Sequence, residues 1–102
     1  MNDTDIEICY LSAFDVLNKY KEKKLSPVDV ISAVIKRIEI VNPKINAFNY
    51  FDFDKSLELA KKSEKKFFNN QDVLPLEGIP LAIKDEVNIK GQPNRNGCLL
   101  LK

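Results

Sequence analysis

Apolar positions recur at helical spacing in three stretches of the chain, alternate at strand spacing in one, and gather with aromatics in another short run. The spacing predicts a first helix over about residues 13–24. Ser12 is its N-cap, and Asp15 three residues on makes a capping-box pattern with Asp in place of the usual Glu. Phe14, Leu17 and Tyr20 form its apolar stripe. The second helix is the clearest element. Ser26 caps it, Pro27 suits the first helical position and Asp29 falls at the third. Val28, Ile31, Ile35 and Ile38 share a face, which Val30, Val34 and Val41 widen. Its β-branched residues lower helix propensity, so burial on more than one side must hold it. Asn42-Pro43 is expected to stop it, because a residue before proline is pushed out of the helical region.

Residues 45–51 read as a strand, rich in aromatics and bounded by Pro43 and Asp52. A third helix is predicted over about residues 53–68, capped by Asp52 or Asp54. Phe53, Leu57, Ala60 and Phe67 lie on one face and lysines on the other. Asn69 to Asp72 is a polar turn. Next, Ile79, Leu81 and Ile83 alternate with Pro80, Ala82 and Lys84, the period of a second strand. Val87 and Ile89 continue its odd-numbered apolar face, and residues 90–97 form a loop. No internal repeat or low-complexity segment interrupts this order.

At 102 residues, the chain is one small domain or a piece of a larger one. Apolar residues at 44% and charged residues at 30% suit a globular protein rather than a disordered tail. The 16 Lys+Arg nearly balance the 15 Asp+Glu. Two local basic runs, 19–24 and 61–66, raise nucleic acid as a partner. Arg37 and Arg95 are the only arginines, however, and Glu22 and Glu64 sit inside the runs. Phosphate and base readers lean on the arginine fork, so these runs read as solvated helix faces. Cys9 and Cys98 make no CxxC pair, and the acidic start lacks the pattern of a signal peptide. No apolar run approaches the roughly 20 residues that span a bilayer. The expectation is a cytoplasmic chain with reduced thiols and no membrane, metal or cofactor.

With no histidine, the Ser-His-Asp and Cys-His machines are absent. Three scattered glycines provide no phosphate-cradling loop. Ser12 and Ser26 are caps, Asp52 and Asp54 start a helix, and Cys9 is a small apolar filler. Lys84 is different. It ends an apolar run and is followed at once by Asp85-Glu86. In dry surroundings its ammonium is disfavoured, and a neutral lysine can take a proton from a serine hydroxyl. Spacing alone favours a strand-end lysine that snorkels to water.

Leu76-Glu77-Gly78-Ile79-Pro80-Leu81-Ala82-Ile83-Lys84-Asp85 resembles the GxPxxxKD segment of the amidase signature family. Leu25-Ser26-Pro27-Val28-Asp29-Val30, Arg37-Ile38-Glu39 and Asn42-Pro43-Lys44-Ile45-Asn46-Ala47-Phe48 are similar to its second helix and the strand after it. Residues 56–66 fall where the family has another helix. Val87 to Pro93, then Gly97, resemble the segment after the KD pair, with Asn94-Arg95-Asn96 in place of a Thr-rich run. The ordered set covers about residues 25–97.

The resemblance implies an α/β fold: a mixed sheet covered by helices on both faces, of which residues 1–102 hold about three helices and two strands. It also implies a serine hydrolase with a Ser–cis-Ser–Lys triad acting on a small-molecule carboxylic amide. Lys84 matches the triad lysine, the general base acting through the bridging serine. Asp85 beside it is read either as a supporting carboxylate that orients loop backbone or as a turn cap. The Gly/Ser-rich segment that supplies both serines lies later in the family, and no serine follows Ser63 here. The expectation is therefore an N-terminal piece, inactive alone, whose first partner is the missing C-terminal portion. The alternatives are a non-catalytic binding module, a gene remnant, or within the family one component of an amidotransferase that acts on charged tRNA. The run Asp85 to Ile89 leans toward stand-alone amidases.

Overall fold

A computed structural model of the chain describes residues 2–84 and residue 90. Within them lie four helices: α1 (Asp3–Cys9), α2 (Ala13–Lys21), α3 (Pro27–Ile45) and α4 (Phe53–Phe68). Helix α3 is central and packs against both α1 and α4.

The start of each predicted helix follows its cap. The Ser12 side chain accepts from the Asp15 amide, and Asp52 accepts from the Lys55 amide. At α3 the capping box is complete: Ser26 Oγ accepts from the Asp29 amide, and Asp29 Oδ2 accepts from the Ser26 amide, both at 3.1 Å. Ser26→Ala should leave the Asp29 amide without its side-chain acceptor and lower the stability of the chain by about 1 kcal/mol, read as a shifted urea midpoint.

The ends follow left-handed residues. After α2, Lys23 takes φ 59°, Lys24 N–H donates to Lys19 and Lys23 N–H to Tyr20. This paired closure ends the helix at Lys21, short of the expected residue 24. Asn70, at φ 53°, closes α4 in the same way, through Gln71 to Lys66 and Asn70 to Phe67. Helix α3 does not stop at Asn42-Pro43 but continues to Ile45, where Asn46 at φ 50° terminates it. A proline in the last turn removes one hydrogen bond, and the Asn46 cap, donating to Asn42 O at 2.7 Å, offsets that loss.

The expected strand at 45–51 is corrected accordingly: Ile45 belongs to α3, and residues 46–52 are irregular. Asn42 holds this connection from the helix. Its amide donates to Phe48 O at 3.1 Å and accepts from Phe48 N–H at 2.9 Å. Those are the groups a sheet neighbour would otherwise take. No strand is present among the described residues, which supply no partner for a ladder. Helix α1 was not expected. It is seven residues long, capped by Asn2 and tied to α3 by Lys36 to Asp5 at 3.3 Å.

Val16, Tyr20 and Val30 form the core, and Ile8, Leu11, Leu17, Leu25, Val34, Phe67 and Ile79 pack around them. Tyr20 meets Phe67 with ring centroids 5.1 Å apart. On α2 the buried face is Val16 and Tyr20, whereas Phe14, expected on the stripe, is 74% exposed. Among the described residues, no helix is long and apolar enough to cross a membrane.

Candidate functional site

The run that carries Lys84 begins in a turn, with Glu77 N–H donating to Leu74 O and Ile79 N–H to Leu76 O. Two anchors hold this turn to the helices. On α4, Ser63 Oγ donates to Glu77 Oε2 at 2.6 Å, and Lys66 Nζ donates to Oε1 at 3.2 Å. From α2, the hydroxyl of Tyr20 donates to Gly78 O at 2.8 Å. Tyr20 is 1% exposed. Burial, and after it the charge of Asp29, raise its phenol above the ordinary range, which keeps it a donor.

Gly78 has φ +78°, which side-chain-bearing residues rarely adopt. A Cβ there would stand 2.8 Å from Pro27 Cγ and 3.1 Å from Tyr20 Cε2. The glycine thus serves both the turn and a close approach to the start of α3.

The Glu77 side chain is 12% exposed. The Ser63 hydroxyl, and then Lys66, lower its carboxyl below the ordinary value of 4.5, against the opposing effect of burial. A lowered folded-state value means that the carboxylate contributes stability above the unfolded value, and that this is lost as pH falls through the folded one. The stability gap between the parent chain and Glu77→Gln should therefore be widest near pH 6 and close progressively below about pH 4.5, in urea titrations at stepped pH.

Beyond the turn, residues 79–84 line an open, mainly apolar groove of about 750 Å³, together with residues of α1, α3, α4 and the 48–53 connection. Ile79 packs on the core, but Leu81 and Ile83 are exposed. The expected alternation therefore buries only its first member within these residues. Lys84 lies on the groove and is exposed. The described residues do not supply the dry surroundings expected of it. Asp85, Cys98 and residues 91–97 of the expected loop lie outside the described residues. Cys9 is half-buried on the groove, and burial chiefly raises its thiol, countered by Arg37, which suits a filler.

Sequence reasoning passed over Tyr20 as a donor, and over Ser63, Lys66 and Glu77. One signal was available: Ser63 falls on the α4 face marked by Ala60 and Phe67, where a buried hydroxyl needs a partner.

Residues 29–102 match the family described as Amidase. The chain is 38% identical over 86 residues to the glutamyl-tRNA(Gln) amidotransferase A-subunit of Carboxydothermus hydrogenoformans, across 84% of this chain and 18% of that protein. It is 35% identical over 92 residues to the protein of the same name from Methylacidiphilum infernorum, across 90% of this chain and 17% of the relative. With that of Streptomyces avermitilis it shares 32% over 102 residues, all of this chain and 20% of the relative. The chain spans about a fifth of the length of these relatives. No solved structure matches. The chain belongs to the amidase family, whose fold is α/β. Its described part is the helical portion.

Proposed function

We propose that this chain is the lysine-bearing part of an amidase-family enzyme of the amidotransferase type, with Lys84 as the general base. The observation that carries the reading is the GxPxxxKD run, whose glycine sits in a positive-φ turn anchored to two helices. The relatives' shared name favours the amidotransferase alternative over the stand-alone amidases to which Asp85 to Ile89 leaned.

In this reading Lys84, when neutral, takes a proton through a bridging serine from the nucleophilic serine. That oxygen attacks the amide carbonyl, the C–N bond breaks, and the nitrogen leaves with the relayed proton. Water then releases the acyl group from the serine as the acid, and the freed nitrogen leaves as ammonia or an amine or passes to an activated acceptor. Both serines belong to a Gly/Ser-rich segment of the kind that the 102 residues do not contain. Asp85 keeps a supporting role in this reading. The steps assigned to Lys84 call on no metal or cofactor.

The test is a chimera in which residues 1–102 replace the aligned region of the Carboxydothermus hydrogenoformans relative. It should amidate glutamyl-tRNA(Gln) together with that relative's partner proteins, and lose that activity on Lys84→Ala. An active chimera indifferent to Lys84→Ala overturns the reading.

A further inference from the structure

Successive residues at the head of the lysine-bearing run are gripped from different helices. Glu77 is held by Ser63 and Lys66 of α4, and Gly78 by the Tyr20 hydroxyl of α2. One attachment leaves a segment free to swing, whereas two on adjacent residues fix its direction. The chemistry of the grips also points to positioning rather than adhesion. A phenylalanine at position 20 would bury nearly the same area without needing a partner, and the apolar face of α4 could have carried an alanine at 63. Polar groups in these places are satisfied by one arrangement of the turn only.

The lever is long. Lys84 is six residues beyond Gly78, at most about 20 Å along an extended chain. An error of about 10° at the turn moves the end of such a lever by roughly 3.5 Å, and proton transfer needs hydrogen-bond reach. Ile79 in the core and Pro80 with its fixed φ stiffen the first part of the lever.

We infer that Tyr20 and Glu77, with Ser63 and Lys66, are positioning residues: a two-point clamp that sets the direction of residues 79–84 and so the place of Lys84 over the groove. This rests on the reading of Lys84 as the reacting lysine only for what the positioning serves.

The test uses the full chain with Cys9→Ala and Cys98→Ala, carrying nitroxide labels at Lys84→Cys and Lys62→Cys. Distances are read by pulsed electron paramagnetic resonance. A control pair at Glu39→Cys and Lys62→Cys reports on α3 against α4. Tyr20→Phe and Glu77→Gln should each broaden the 84–62 distribution, and together at least double its width, with the control pair unchanged. Ser63→Ala, which leaves α2 untouched, should reproduce the Glu77→Gln effect and serves if Tyr20→Phe does not fold. An unchanged 84–62 width overturns the clamp, as does equal broadening of both pairs, which would mean general loosening. No chemistry at Lys84 enters this readout, so a clamp that fails here and a Lys84 inert in the chimera are separate results.

Discussion

Gly78→Ala should destabilise the chain by about 3 kcal/mol. Two costs combine. Alanine in the left-handed region costs about 1–2 kcal/mol relative to glycine. The new Cβ would also press to 2.8 Å on Pro27 Cγ, and Pro27 is a fully buried, rigid ring at the first position of α3. Overpacking of this kind adds about 1–3 kcal/mol. With a urea slope of about 1.5 kcal/mol/M, the midpoint should fall by roughly 2 M. Gly78→Asn separates the two costs, because asparagine tolerates positive φ but keeps the Cβ. It should therefore recover only the backbone share. Pro27→Ala in the Gly78→Ala background should recover part of the packing share, since it removes the atom struck. A Gly78→Ala midpoint within about 0.3 M of the parent would mean that the turn does not hold this conformation in solution.

Most of the helical frame was legible because its determinants are local. Ser26, Pro27 and Asp29 lie within four residues and fix the start of α3. Asn69 to Asp72 mark the end of α4. The errors arise where a neighbour decides. Residues 45–51 have the composition of a strand, but a strand exists only when another backbone takes its hydrogen bonds. Here Asn42 takes those of Phe48. Phe14 fits a helical stripe yet faces out, because the core of α2 is set by where Val30 and Phe67 stand. Helix α1 is too short for periodicity to reveal, and it depends on Lys36, 31 residues away, for its ion pair.

The same division runs through the site. Lys84 was legible from the run that contains it. The groups that hold the run were not: Tyr20 donates across 58 residues, and Ser63 across 14. Neither pairing has a local sequence signature. The apolar residues of the run are a different case. Leu81 at 81% exposure and Ile83 at 46% are only partly covered by the described residues, which amount to less than a fifth of each relative's length. Their alternation is a pattern for a sheet, and these helices alone do not complete one.

In the active chimera, Lys84→Arg should be nearly as damaging as Lys84→Ala, with both losing at least about a thousandfold in kcat. General acid–base transfer is typically worth 10² to 10⁴, and members of a coupled catalytic unit are lost together rather than in shares. The comparison turns on what arginine keeps. It retains the positive charge, the length and the capacity to donate. It cannot act as a base, because a guanidinium stays protonated up to about pH 12. A structural or purely electrostatic Lys84 would therefore tolerate the exchange, whereas a proton-accepting Lys84 does not. Lys84→Cys followed by aminoethylation returns a primary amine on a side chain of nearly lysine length. That protein should recover activity with its pH–rate profile displaced toward lower pH, since the thioether lowers the basicity of the amine. If Lys84→Arg instead keeps more than about a tenth of the parent rate, proton transfer is not its task. Lys84 is then a fixed charge in the site, and the base must be sought elsewhere.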